Sequence, residues 1–421
     1  MTVSVHPTVA IRLLSAAEVK TRSARVAEAV MGGASQTGVS VDLAKLADAA
    51  DLAEKTLTER FPDLQLPPHG CWRSFELDGL DRWAMLASAR EFVSAEEMLC
   101  CAGDLAILSA VLDVAMPEGW TFEEQLTGKR YSGAAGRAIA ALTMFAAGSF
   151  SAEPEDPLRL DAHALIRLEA SEIAGGLQLE PDENSDLIRD ITHQLKRLGE
   201  AAGLRPDLFE KDGSIRPGHV LDRLWADAED GMVPAADCLE LLLDGLSPLW
   251  QGGASLGEVL LGDCWQHSWL VLDEEAPGLV PFHLPAVQIA YSFIEPLAWA
   301  GVLVSGLEEL PGLADLNHVF FFLETGALRV LPSQDAGAGS PQAAVDLMIE
   351  LRAMSLVLLD KLAALLRERL EASVEELPLT CLMAAATVPA SRELAGKNPA
   401  QLEKAAESLG GGGVFWLPFG A

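Results

Sequence analysis

The chain has 421 residues, of which half are hydrophobic and 22% charged, and its 30 Lys and Arg against 62 Asp and Glu leave a formal charge of −32. Such a balance suits a folded chain that buries a large core, and it excludes an extended disordered one. The negative field makes duplex nucleic acid and anionic membranes poor partners, while an anionic small molecule remains open to a local group of arginines.

No stretch reaches the roughly 18 apolar residues of a membrane span. The best candidate, Ala138 to Phe150, reads as a buried helix. Near the start, Arg12, Glu18 and Lys20 do not follow the basic-then-apolar order of a signal peptide. The cysteines are Cys71, Cys100, Cys101, Cys238, Cys264 and Cys381, with no CxxC pair. Reduced thiols in a soluble, cytoplasmic protein are the expectation.

Along the chain, helix signals dominate. After an N-terminal helical segment over residues 1–40, Val41 to Arg60 places Leu43, Leu46, Ala50, Ala53 and Leu57 on one face, with Ser40 as its cap. Ala95 to Val114 is rich in Leu, Met and Ala and ends at a Pro117–Gly119 turn. Asp186 to Ala202 is amphipathic, and Ala343 to Ala372 carries Leu347, Leu351, Met354, Leu358, Leu362 and Leu365 at helical spacing. Ser268–Leu272, Val319–Leu323 and Ala327–Leu331 read as short strands. Loops are expected at Glu153–Pro157, Lys211–Gly218 and Pro332–Pro341, the last being glycine-rich and flexible. Gly410–Gly413 loosens the tail, and Phe415, Trp416 and Phe419 dock it back. The expected fold is mainly α: a large multi-helix globular fold with a few short strands or a small hairpin. Residues 41–421 then form a single large domain, with a possible subdomain boundary near 151–160.

Dinucleotide, P-loop, zincin and hydrolase motifs are missing, so no cofactor is expected. The histidines form no pair at ligand spacing. His267 and His283 with Asp263 are too dispersed to predict a metal. Two segments crowd rare residue types. In Arg60 to Glu76, prolines fix an extended path beside His69, Trp72, Arg73 and Glu76. That segment reads either as a pocket wall that stacks on a ring and pairs an anion, or as a structural loop with Trp72 in the core and Arg60 on Asp63. The second runs from Gly262-Asp-Cys-Trp-Gln-His-Ser-Trp269 through Val280-Pro-Phe-His283 to Tyr291-Ser-Phe-Ile-Glu-Pro296. A carboxylate buried beside tryptophan has a raised pKa, which suits acid–base work. Asp263, Glu295, His267 and His283 are therefore the catalytic candidates, each against the alternative of a satisfied polar group in a helical core. Glu324 is a weaker candidate that can simply cap a turn.

Taken in order, several motifs carry a resemblance. They are Arg60-Phe-Pro-Asp-x-x-x-Pro-x-His-x-x-Trp-Arg-x-Phe75, Leu77-Asp78 followed by Trp83, and Pro157-Leu-Arg-x-Asp-Ala162. Gly262-Asp-x-Trp-x-His267, Val280-Pro-Phe-His283 and Tyr291-Ser-x-x-Glu-Pro-Leu297 follow. The chain resembles the URC-type uracil-catabolism family, the fourth component of that pathway, from about Val41 to the glycine-rich tail. The resemblance implies a part in the route that opens the pyrimidine ring once uracil has become a nucleotide. Hydrolysis of the N-glycosidic bond of a ribosyl-urea phosphate, or a related nucleotide, is the expected reaction. Its oxocarbenium-like transition state calls for a carboxylate and its phosphate for basic residues. Asp263, Glu295 or Asp113 can supply the first, Arg60, Arg73 and Arg82 the second, and Trp72 or Trp265 a stacking wall, with His69 among the substrate contacts.

Four segments depart from the pattern the resemblance implies. A lysine expected after Val-Pro-Phe-His is missing from Leu284-Pro-Ala-Val-Gln288. A Glu-Tyr-Arg-Asn-Gly-Gly turn reads Asp315-Leu-Asn-His-Val-Phe320, a glycine-rich acidic stretch reads Asp113-Val-Ala-Met116, and Arg-Ser-Glu-Gly reads Gly133-Ala-Ala-Gly136. Joint loss of a lysine, an arginine, a tyrosine and a glutamate implies a changed site. Alternatives are a catalytically inactive or repurposed paralogue that serves as a ligand-binding or partner subunit, and a member with a neutral or cationic substrate. The expected partner is a small molecule of nucleotide or ribosyl-urea type, with homo-oligomers possible. A pocket lined by Asp263, His267, His283 and Glu295 would favour hydrolysis, and one filled by Leu284, Leu316 and Phe320 loss of activity.

Overall fold

Ser15, Asp81, Ser94, Asp315 and Ser340 each precede a helix and accept a first-turn backbone N–H with the side chain. Each thereby satisfies a donor that the helix itself leaves without a partner. Local chemistry of this kind sets the frame of a mainly α architecture. The computed structural model describes residues 7–34, 36–250, 253–332 and 340–417.

The Ala95–Val111 helix is buried almost all round, from Leu99 to Val111. A helix apolar on every face belongs inside a protein. It packs against the His219–Ala226, Gly133–Ala146 and Leu284–Trp299 helices. Asp104 on this central helix accepts from Arg216 at 2.7 Å and from the Gly218 N–H at 2.7 Å. That bond anchors the expected Lys211–Gly218 loop, part of which is a hairpin of Glu210–Lys211 with Ser214–Ile215.

The longest helix, Pro341–Leu370, buries Leu351, Met354, Leu358 and Leu362 and packs on the Ala16–Met31 helix. One apolar cluster runs from Ala16 to Leu417, so the N-terminal segment shares its core with the rest of the chain. Trp416 is buried with its ring centroid 6.3 Å from that of Trp265. The tail is therefore docked at that residue. Phe419 and residues 333–339 of the expected flexible loop lie outside the described residues.

Strands are short, paired two by two. Cys264–Gln266 pairs antiparallel with Leu279–Pro281, Val39–Val41 with Leu328–Val330, and Met232–Pro234 lies parallel to Leu303–Ser305. Three local expectations change. Ser40 sits in a strand, and Asp42 caps the turn that leads into the Leu46–Arg60 helix. Ser268–Leu272 is not a strand; the pairing residues lie just before it. Val319–Leu323 is helical within Leu316–Glu324, where Leu316 through Phe322 are all buried. Its aromatic and β-branched run suggests a strand, but a short apolar run cannot be told from a buried helix by periodicity. The Asp315 cap settles the matter. No helix among the described residues is long and apolar enough to cross a membrane.

Candidate functional site

Six stretches remote in sequence meet around one cavity. His69, Gly70, Cys71 and Ser74 form one wall, the end of the Ala95–Val111 helix with Asp113 a second, and Ala134, Arg137 and Ala138 a third. Gln288 and Ser292, Asp315 and Asn317, and Val388 and Arg392 complete it. The cavity has a volume of about 110 Å³ and is partly open to solvent, smaller than the roughly 300–1,000 Å³ of an ordinary small-molecule site.

The Pro-rich segment is locked in place by its own side chains. Trp72 fills the core, with ring centroids 4.9 Å from those of Trp83 and Trp299, and its Nε1–H donates to the Ser292 carbonyl at 2.7 Å. The Cys71 N–H donates to Ser292 Oγ and the His69 N–H to Thr380 Oγ1. His69 and Cys71 are thereby held at the cavity. Burial depresses the His69 imidazole to about 4, so it is neutral at pH 7. Burial pushes the Cys71 thiol up to about 12, which leaves it protonated and unreactive.

Two carboxylates face this space. Asp113 accepts from Arg137 Nε at 2.7 Å. Gly136 helps to set that pair: a Cβ there would lie 2.6 Å from the Tyr131 carbonyl, so only glycine lets the helix start so close. Asp315 Oδ1 accepts from the backbone N–H of His318 at 2.9 Å and from its Nδ1 at 2.6 Å. Burial alone would raise the Asp315 pKa, but the adjacent His318 overrides it and holds the carboxyl below its usual range. Asp315 is thus ionised at neutral pH. Arg392 lines the cavity from a position that is also exposed, with no ion pair within 4 Å among the described residues. Desolvation among its neighbours lowers its pKa, which the attraction of Asp113 and Asp315 opposes and the repulsion of Arg137 and Arg60 reinforces. Three guanidinium groups therefore converge near two carboxylates.

Among the residues singled out from sequence, only His69 and Asp113 line this cavity. Arg60 is exposed nearby and makes no ion pair with Asp63; its guanidinium lies over the Phe61 ring. Arg73 pairs with Glu295 at 2.6 Å and with Glu76 at 2.8 Å. Burial raises the Glu295 pKa, which Arg73 only partly offsets. Arg82 grips Glu124, with Nη2 to Oε2 at 2.8 Å, and donates to the Leu77 carbonyl.

Asp263 is fully enclosed. It accepts from Arg352 at 2.7 and 2.6 Å, from Trp265 Nε1 at 2.7 Å and from the Leu284 N–H at 2.9 Å. Burial alone would raise its pKa as well, and Arg352 drives it below the usual range instead. His283 Nε2 donates to the Leu13 carbonyl at 2.8 Å, and burial lowers its pKa, so the ring is neutral. His267 is buried 3.4 Å from Glu350. These groups do not share a pocket with Glu295. Among the described residues no group of three or more His, Cys, Asp or Glu is placed to hold a metal ion. Leu284, Leu316 and Phe320 are core residues, and the open space lies elsewhere.

Arg137, Arg392, Ser292 and the Asp315–His318 pair carried no site assignment from sequence. A usable signal existed. Each of the four segments that depart from the family pattern contributes a cavity wall: Asp113, Ala134, Gln288, and Asp315 with Asn317. The cavity's guanidinium groups, Arg137 and Arg392, come from positions outside those motifs.

Fold and cavity together define a mainly helical protein whose pocket gathers carboxylates and guanidinium groups from six stretches of chain. Residues 12–409 match the family described as "Protein of unknown function (DUF1688)", and the chain belongs to that family. It is similar to Protein urg3 of Schizosaccharomyces pombe, 28% identical over 368 residues that cover 85% of this chain and 86% of that protein. It is also similar to Uracil catabolism protein 4 of Lachancea kluyveri, 24% identical over 395 residues, or 85% of this chain and 88% of that one. The family resemblance carried by the motifs from Arg60 to Leu297 therefore holds.

Proposed function

We propose that the protein acts in uracil catabolism and hydrolyses the N-glycosidic bond of a ribosyl-urea phosphate in the cavity between Asp315 and Arg392. The name of one relative, Uracil catabolism protein 4, supports the pathway, and the cavity's chemistry supports the reaction. One observation carries it: an ionised carboxylate, Asp315, and a guanidinium without an ion pair, Arg392, line the same space. As the bond from C1 of the ribose to nitrogen breaks, positive charge grows on the sugar. A fixed carboxylate stabilises that charge. Water adds to C1, and Asp315 or Asp113 takes its proton and passes it to the departing urea nitrogen. The products are urea and ribose phosphate. Arg392, assisted by Arg60, binds the phosphate without losing charge at any working pH.

Purified protein incubated with ribosyl-urea phosphate is expected to release urea, and Asp315→Asn to lose most of that release. Absence of urea from the folded protein, at substrate concentrations where phosphate-bearing ligand binds, would sink the hydrolase. That outcome would favour the second reading, a ligand-binding subunit, to which the engagement of Asp113 by Arg137 already lends some weight.

A further inference from the structure

We infer that His318 and Thr387 are positioning residues that fix one oxygen of Asp315 so that its other oxygen is presented to the cavity. The inference deepens the function proposed above and rests on it for the identity of the substrate. Asp315 Oδ1 takes both the backbone N–H and the Nδ1–H of His318, at 2.9 and 2.6 Å. Oδ2 keeps only a long contact of 3.5 Å from Asn317 Nδ2. One oxygen is saturated and its twin is nearly bare. An ordinary helix cap needs only the backbone bond; the second, to the imidazole, constrains rotation of the carboxylate.

His318 is itself fixed from behind. Its Nε2 lies 3.0 Å from Thr387 Oγ1, and both side chains are sealed from solvent. A hydroxyl can donate to a neutral imidazole or accept from a protonated one, so the ring keeps its orientation in either state. Thr387 closes a five-residue π turn, Met383–Thr387, in which the Val388 N–H reaches back to the Met383 carbonyl. One extra residue per turn rotates everything after it by about 100° relative to an unbroken α-helix. The same turn therefore aims Thr387 at His318 and starts the helix that carries Val388 and Arg392 to the cavity. Carboxylate and guanidinium are aligned by one local irregularity.

The groups that face Asp315 are His318 on its own helix, His69 on the Pro-rich segment and Arg392 on the helix after the π turn. Removing His318 leaves burial to dominate, so the Asp315 carboxyl takes up a proton at higher pH. With ribosyl-urea phosphate as substrate, His318→Ala is expected to lower kcat by about 100-fold, the scale of a lost preorganised contact. KM should stay within about twofold, and the acidic limb of the kcat profile should move to higher pH. Thr387→Val should move the limb in the same direction with a smaller loss of kcat, and Thr387→Ser should restore both. An unmoved limb in both His318→Ala and Thr387→Val, with kcat falling only as folded protein is lost, would reduce the pair to a structural role. Carbon NMR titration of the Asp315 carboxyl gives a readout independent of turnover. Should the wild type release no urea, the hydrolase reading fails alone; an Asp315 titration indifferent to His318→Ala overturns the positioning role.

Discussion

Two aspartates divide the molecule. Asp263 sits in a sealed region where every hydrogen bond comes from protein: Arg352 in bidentate contact, the Trp265 indole and the Leu284 N–H. Asp315 sits at a cavity wall, saturated on one oxygen and nearly bare on the other. Both are ionised for the same reason, a cationic or hydrogen-bonding neighbour that overrides the penalty of burial. Their surroundings separate them. A charge whose bonds are all satisfied from within can only hold elements together, whereas a charge facing open space can act on a ligand. The sealed region joins the Cys264–Gln266 strand, the Leu284–Trp299 helix and the long Pro341–Leu370 helix. The open region joins six stretches, each of which contributes one or a few groups.

Breaking the sealed region should have the largest effect. Arg352→Met leaves Asp263 as an uncompensated charge with no exposed surface, and removal of one partner from such a pair costs about 3–5 kcal/mol. Urea denaturation should record that loss as a lower midpoint. The pair also sets an acid limit. The Asp263 pKa is depressed in the folded state, so its stabilisation is present above the unfolded value of about 4 and is lost as pH falls through the folded value. Wild-type stability should therefore drop below about pH 4, and Arg352→Met should lack that part of the slope. A variant as stable as wild type would show that packing, not the ion pair, joins these elements.

The next effect belongs to the open region. Asp315→Asn is expected to lower kcat by about 10²–10³-fold, or about 3–4 kcal/mol of transition-state stabilisation, while cap loss removes only about 1 kcal/mol of stability. Steady-state kinetics beside a melting curve separates the two. Equal losses in both would place Asp315 with Asp263 as a folding residue. Arg392→Gln should act more weakly, through binding: a rise in KM of about tenfold with kcat little changed, since a uniformly bound phosphate contributes to both ground and transition states.

The division also explains what could be read from the chain. Helices such as Ala95–Val111 and Pro341–Leu370 were legible, the first from its run of Leu, Met and Ala and the second from its apolar spacing. The family was legible because its motifs are long. The candidate site was legible only in part, since the crowded motif residues serve the interior: the fold uses Trp72, Arg82, Asp263 and Trp265 for packing and buried polar bonds. Arg137 and Arg392 stand in ordinary helical sequence and gain meaning only from tertiary convergence. His318 looks like one residue of an apolar run, because its partner Thr387 lies 69 positions away. The segments at 113–116, 133–136, 284–288 and 315–320 each reach the cavity through one or two residues, which only the tertiary fold brings together.

Arg73 and Glu295 offer the finest test, because sequence places them in the site and geometry places them beside it. Glu295 is half sealed between Arg73 and the core, and Arg73 is 39% exposed. Water screens a pair of that kind, so Arg73→Met should cost only about 1 kcal/mol or less. Loss of the guanidinium removes the attraction that partly offsets burial, and the already raised Glu295 pKa must rise further. A protonated Glu295 has no need of the partner. The stability difference between Arg73→Met and wild type should therefore be present at neutral pH and shrink as pH falls through the variant's Glu295 pKa. Turnover should change by less than about threefold, because neither group lines the cavity. A collapse of kcat in Arg73→Met, with stability intact, would move the chemistry from Asp315 to Glu295 and reverse the roles of the two regions.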